Sequence, residues 1–169
     1  MKYKVIFKGE FENVKHISVE QTFEIKVQCV ACREQSEKPI ILTADSSVRK
    51  EVGIFNLLYS CHGCKRQLSA KVNIPKEKKM TLLNTSNNTE EEVGLFLGEK
   101  EGLNYKVSEI VLGGCELIGL KVLLMNIVDN KDNLYSEVKL NYEEKCWTGD
   151  FKNSFSSIVN YSIEYELSK

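Results

Sequence analysis

Four cysteines in two matched pairs, Cys29-Val30-Ala31-Cys32 and Cys61-His62-Gly63-Cys64, are the residues whose type and spacing carry chemistry. In Cys-x-x-Cys the two sulfurs converge on one ion while the intervening turn aims backbone N–H groups at them. Two such knuckles complete a tetrahedral four-cysteine zinc site, with Zn–S distances of about 2.3 Å. The 28-residue spacer between the pairs is longer than the ribbon spacing of about 15–20 residues. It fits if each pair sits at a strand end and the intervening strands bring the tips together. Arg33, Lys65 and Arg66 follow the pairs directly and offset the negative charge of four thiolates. Gly63 is expected to permit the tight turn of the second knuckle. Catalytic zinc keeps one position open, whereas four thiolates close the site, so one structural Zn2+ is the expected cofactor.

The same spacing has other readings. A thioredoxin-like redox pair needs a Cys-x-x-Cys that opens a helix, and neither pair does so in the sequence pattern. Disulfides need an oxidising compartment. The opening Met1–Lys8 carries charges at alternate positions and has no apolar core of a signal peptide. Cys115 and Cys146 read as small apolar residues, or as transfer thiols if the protein handles metal. His62 lies between two ligands and is expected to face solvent, and His16 to sit at a surface or edge. Asn84-Thr85-Ser86, Asn87-Asn88-Thr89 and Asn160-Tyr161-Ser162 match the glycosylation acceptor pattern, a coincidence in a chain without a secretion signal. The sequence holds no Gly-rich phosphate loop, no G-x-S-x-G and no H-E-x-x-H. With two histidines and no framed carboxylate pair, acid–base catalysis has few candidates, so no enzyme activity is expected.

The elements that must position the cysteines alternate apolar and polar residues, the signature of strands. Tyr3-Val5-Phe7 does so, and Phe23-Ile25-Val27 runs straight into Cys29. Ile40–Thr43 and Ile54–Tyr59 read as strands, the latter leading into Cys61. Leu68-Ala70-Val72-Ile74 leaves the second pair and Pro75 ends it. Residues 84–104 turn polar, Asn-rich and acidic, which reads as a loop or linker, with a short strand or turn docking at 93–98. Strands resume at Glu109–Leu112, Leu117–Val128, Tyr135–Leu140 and Asn160–Leu167. The expected class is all-β, a sandwich or barrel-like fold. It divides into a zinc lobe at 1–83, the linker 84–104, and a second lobe at 105–169 packed on the first. Phe7–Val14 lines up with Val111–Ile118, a faint repeat that suggests two similar lobes with zinc in one.

Hydrophobic content of 42% and charged content of 28% suit a globular chain. The run Ile110–Val128 tempts a membrane reading, but Glu116 and Lys121 fall inside it and three glycines break it, so adjacent buried strands explain it better. No membrane partner is expected, and the anticipated location is cytoplasmic, with the nucleus as a further possibility. Residues 1–83 hold 15 Lys and Arg against 9 acidic residues, a charge of +6, and residues 84–169 carry −7. The halves are expected to face and partly neutralise each other. Only three Arg stand against twenty Lys, which counts against bidentate phosphate or guanine recognition.

Several segments carry a family likeness. They are Cys29-x-x-Cys32 with Glu34 and Ser36, Cys61-x-x-Cys64-Lys65-Arg66 entering a strand, Gly114-Cys115-Glu116-Leu117, and Trp147 with Asp150-Phe151 before the closing strand. With these the chain resembles the eukaryotic CXXC-motif-containing zinc-binding proteins over nearly its whole length. The resemblance implies zinc on Cys29, Cys32, Cys61 and Cys64, a β-rich fold and no particular reaction. The middle segment departs from the family's pattern, which has arginine and glycine after that cysteine. The expected role is a zinc-scaffolded module with a protein partner. A nucleic-acid-binding zinc ribbon and a metal-handling or thiol-redox protein are the alternatives.

Overall fold

The computed structural model describes residues 1–74, 80–84, 89–93 and 104–168, and among these every regular element is a strand. The first half contains β1 (Lys2–Glu12), β2 (Val14–Val19), β3 (Thr22–Cys29), β4 (Ile40–Thr43), β5 (Val48–Lys50), β6 (Gly53–Phe55), β7 (Leu57–Ser60) and β8 (Gln67–Asn73). β9 (Met80–Asn84) and β10 (Thr89–Val93) follow. The rest are β11 (Asn104–Gly113), β12 (Cys115–Val122), β13 (Leu124–Asp129), β14 (Leu134–Lys139), β15 (Trp147–Phe151) and β16 (Ser154–Leu167). The all-β expectation is thus met. Part of the stretch read as a linker, Thr89–Val93, is instead a strand paired with β9. The short element expected at 93–98 and the strand-ending Pro75 lie, from residue 94 on and at 75, outside the described residues.

β1 is the hinge of the architecture. It pairs with β11 on one side and β16 on the other, and its Val5, Ile6 and Phe7 are all buried. Phe7 stacks on Tyr161 of β16 at 5.9 Å between ring centroids. Tyr161 in turn donates its hydroxyl to the Asn141 carbonyl at 2.7 Å, so this fully buried ring leaves no unpaired polar atom. Beyond β11 come β8 and then β7, while β9 pairs with the other end of β11.

The halves repeat one pattern of pairing and trade strands to complete it. β3 lies between β4 and β12, whereas β13 lies between β14 and β2. Each three-stranded sheet therefore takes its outer strand from the opposite half. The correspondence holds residue by residue. Cys115 pairs with Cys29 across β12 and β3, and Val14 pairs with Asp129 across β2 and β13. The link before each exchanged strand is a residue at positive φ, Gly114 (φ 76) and Asn13 (φ 52). Lobes cut at a sequence boundary near residue 84 would each lose a strand to the other.

Where the first half has its cysteines, the second half has a carboxylate. Asp129 is fully buried. Its Oδ1 accepts the backbone N–H groups of Lys131 and Asn133 at 2.9 Å each. Its Oδ2 accepts Asn133 Nδ2 at 2.8 Å and the Ser154 hydroxyl at 2.9 Å. The turn equivalent to the second cysteine pair shrinks to Lys152-Asn153, both at positive φ, as a two-residue hairpin link of the primed type requires. A hydrogen-bonded carboxylate thus ties the two turns together here.

The charge asymmetry resolves as expected. Lys2–Glu109 (3.0 Å), Lys8–Glu164 (2.6 Å), Lys15–Asp132 and Arg33–Glu116 (3.5 Å) each join a first-half cation to a second-half acid. The solvent-accessible pairs to Glu164, Asp132 and Glu116 are worth about 0–1 kcal/mol each, so they align the halves more than they hold them. No helix among the described residues is long and apolar enough to cross a membrane, and Ile110–Val128 is divided among β11, β12 and β13.

Burial raises the Asp129 pKa, but the hydrogen bonds from Asn133, Ser154 and Lys131 outweigh it and hold the carboxyl below its usual range. A depressed folded-state pKa contributes stability above the unfolded value of about 3.9, and loses it as pH falls through the folded value. Asp129→Asn should therefore lower the thermal midpoint at pH 7, by the equivalent of about 1.5–3 kcal/mol for a charged acceptor lost. Melting curves from pH 7 to pH 2 should show the gap to the parent protein narrowing below about pH 4. A gap independent of pH would show that the charge of Asp129 is not what ties the turns.

Candidate metal centre

Each cysteine pair sits where a buried strand ends. In β3, Phe23, Ile25, Val27 and Cys29 all face the core, so the strand's alternation delivers Cys29 inward. The chain then turns: Arg33 N–H donates to the Cys29 carbonyl at 3.0 Å, and Cys29 N–H to the Glu34 carbonyl at 2.8 Å. The second pair copies this between β7 and β8, with Lys65 N–H to Cys61 O at 3.0 Å and Cys61 N–H to Arg66 O at 2.9 Å. The residue after each second cysteine, Arg33 (φ 64) and Lys65 (φ 60), adopts the left-handed conformation. The strain at each turn therefore falls on these cations. Gly63 is needed for a different reason than tight turning: a Cβ there would lie 3.3 Å from Cys32 Sγ and 3.5 Å from Glu34 Cβ. It leaves room for the opposite turn.

The four sulfurs of Cys29, Cys32, Cys61 and Cys64 all lie within 4.8 Å of one another, and this is the one candidate metal cluster among the described residues. Cys32 Sγ and Cys61 Sγ are 3.4 Å apart, and Cys29 Sγ and Cys64 Sγ 3.7 Å. A tetrahedron with Zn–S bonds of about 2.3 Å has edges of about 3.8 Å, and the two cross-turn spacings lie close to that value. All six cysteines are free, with sulfurs too far apart here for disulfide bonds of about 2.05 Å. Both turns link strand to strand, which also removes the helix that a thioredoxin-like pair requires.

Electrostatics in the cluster also call for a cation. Backbone N–H groups of Cys32 and Ala31 point at Cys29 Sγ and lower that thiol to about 6. Cys32 receives Glu34 N–H, which favours its thiolate, yet the neighbouring sulfurs of Cys61, Cys64 and Cys29 push it to about 11. Four thiolates this close repel, and a divalent ion among them removes that repulsion.

The second half supplies the floor of the centre, which composition and spacing did not reveal. Gly114 O accepts the N–H of Val30, inside the first pair, at 3.1 Å. Cys115 lies opposite Cys29 in the ladder, buried, its Sγ 3.8 Å from the Gly113 carbonyl, and burial raises its thiol to about 11. It packs behind the cluster and is not one of its members. Cys146 is exposed and also lies outside the cluster. His62 is exposed and stacks on Tyr59 at 6.0 Å between centroids, as a residue between two turn cysteines should. His16 is half-buried on β2, and burial followed by the charge of Lys15 lowers its pKa. The signal that could have located the floor was the segment Gly114-Cys115-Glu116-Leu117, which carried part of the family likeness.

The model of the CXXC-motif-containing zinc-binding proteins of eukaryotes matches residues 4–166. The chain belongs to this family. An uncharacterised protein of Encephalitozoon cuniculi (strain GB-M1) is 30% identical to it, with both chains covered in full. Among solved structures, C1orf123 superposes with a TM-score of 0.75 at 16% identity, over 98% of this chain and 99% of the other. A hypothetical protein from Plasmodium falciparum does so with a TM-score of 0.71 at 17% identity, over the same shares. At such identities the two structures establish the shared fold. For the CXXC zinc-binding family, the clustered cysteines found here provide the feature its name describes.

Gly63→Ala brings a methyl group against Cys32 Sγ. It should weaken metal retention while leaving the fold in place, seen as faster zinc loss to a chromogenic chelator than from the parent protein. Equal rates would show that the turns do not need this close approach.

Proposed function

We propose that the chain is a zinc-scaffolded protein-interaction module, with one structural Zn2+ held by Cys29, Cys32, Cys61 and Cys64. What supports the zinc role is the complete set of four thiolates converging from two turns. That set fills a tetrahedral ion and leaves no position for substrate or activated water. Structural zinc is worth on the order of 10 kcal/mol in small zinc modules, so the metal decides whether these turns and their strands hold together. Cys61→Ser should therefore lower the thermal midpoint sharply rather than only weaken metal affinity. An unchanged midpoint would overturn the structural assignment. Metal analysis of protein purified without added zinc should return one ion per chain, with four thiols protected until denaturation.

The interaction role is supported by what the braced elements present. Val52 at the β5–β6 turn is 84% exposed, and Ile54 and Ile41 are more than half exposed. The hairpin is tied to the second turn by Lys50, whose ammonium donates to Gln67 Oε1 at 2.5 Å. Aliphatic side chains held out on rigid strands suit a protein partner, whereas a nucleic acid would call for aromatic stacking surfaces. Val52→Asp with Ile54→Asp should retain zinc and thermal midpoint but lose partners that co-purify with the parent protein. Identical recovered sets would remove the interaction face from this hairpin. A protein that instead shifts RNA or DNA oligomers in a salt-dependent manner would favour the nucleic-acid reading.

A further inference from the structure

We infer that the candidate centre is also an oxidative modification site, at which a two-electron oxidant such as hydrogen peroxide joins one cysteine turn to the other and frees the metal. The inference rests on the zinc reading above. Its basis is an asymmetry within the four ligands. The first cysteine of each pair is buried, Cys29 at 1% and Cys61 at 2% exposure, while the second, Cys32 and Cys64, is exposed. An oxidant in solvent therefore meets Cys32 and Cys64.

Each exposed sulfur also has a buried sulfur of the other turn beside it, Cys61 for Cys32 at 3.4 Å and Cys29 for Cys64 at 3.7 Å. This places a resolving thiolate next to each point of attack, across the turns. Cys115 is buried behind Cys29 against the Gly113 carbonyl, and Cys146 is outside the cluster, so neither competes for that role.

The chemistry balances in two steps. The Cys32 thiolate attacks one peroxide oxygen, the O–O bond breaks, a sulfenic acid forms and hydroxide departs. The Cys61 thiolate then attacks the sulfenic sulfur. An S–S bond forms, the S–O bond breaks and a second hydroxide departs, so two thiolates give up two electrons and peroxide becomes two waters after taking up two protons. A second peroxide does the same at Cys64 and Cys29. The first disulfide leaves zinc with two thiolates and an open site, and the second removes both, so the metal dissociates. The products are Cys32–Cys61 and Cys29–Cys64 disulfides, which bridge the turns, in place of disulfides closed within each Cys-x-x-Cys.

Trypsin distinguishes these outcomes. Cleavage after Lys26 and Arg33 puts Cys29 and Cys32 in one peptide, Val27–Arg33, and cleavage after Lys50 and Lys65 puts Cys61 and Cys64 in another, Glu51–Lys65. Full-length protein shown by metal analysis to hold zinc is treated with hydrogen peroxide in the presence of a chromogenic zinc chelator. It is then alkylated, digested without reduction and mapped by mass spectrometry. The expected result is dose-dependent zinc release with the two peptides covalently joined, both reversed by dithiothreitol and added zinc. Zinc retained at a dose that oxidises the exposed Cys146 would overturn the inference, and so would disulfides closed within each peptide. Protein that carries no metal before oxidant is added would instead defeat the zinc reading itself.

Discussion

Bringing four sulfurs to one point is the demand around which this chain is organised, because like-charged ligands cannot stay together without a cation and cannot meet without rigid supports. Neither Cys-x-x-Cys turn could supply that rigidity alone. Each is closed by two backbone hydrogen bonds within itself, between Cys29 and Arg33–Glu34 in the first and between Cys61 and Lys65–Arg66 in the second. The flanking strands are fixed by the β1–β11 pairing and by the buried Phe7, Phe23 and Leu68 beneath them. The framework sets the sulfur positions, and a divalent ion held there would offset the repulsion that those positions create.

The comparison of the two halves shows how the same geometry survives without metal. Asp129 occupies the place of Cys29, and Ser154, at the foot of the shortened hairpin, reaches it with a hydroxyl. A carboxylate with four donors around it is satisfied by hydrogen bonds alone. The thiolate cluster, with few donors and mutual repulsion, is not. The contrast separates two ways of cross-linking neighbouring turns, and it explains why only one half needs cysteine.

Much of this was legible in the chain. The alternation in β1, β3 and β8 announced buried strands, and the cysteine spacing announced where their ends meet. The faint match of Phe7–Val14 to Val111–Ile118 spans both corners but is out of register by three residues: it sets Asn13 against Leu117, whereas the residue equivalent to Asn13 is Gly114. What escaped did so for physical reasons. β2 breaks alternation, with Val14, Ile17 and Val19 buried, because the ladder slips opposite Val128 and Asp129. β15 contains Gly149 and Asp150, weak strand formers placed by aromatic packing. A Cβ on Gly149 would come within 2.7 Å of both the Tyr135 and Trp147 rings, which themselves meet at 5.0 Å. Ile54–Tyr59 reads as one strand, but Asn56 divides it. Its side chain accepts Val72 N–H and donates to the Ala44 and Ser46 carbonyls, standing in for a rung of the ladder. The exchange of β2 and β12 between halves was invisible because pairing across a hundred residues leaves no mark in local pattern.

That exchange has a consequence for how the protein is made. A ribosome releases the chain from its N-terminus, so all four cysteines emerge while β12, the strand that flanks Cys29, is still unsynthesised. The turns can capture metal early, yet β3 then has an open edge, and the Gly114 carbonyl that steadies Val30 has not arrived. Completion of the zinc lobe therefore waits on residues 114–122, whereas the second lobe finds β2 already present when its own strands appear. The order of translation makes the metal-bearing half the first to begin and the one that must wait for its partner.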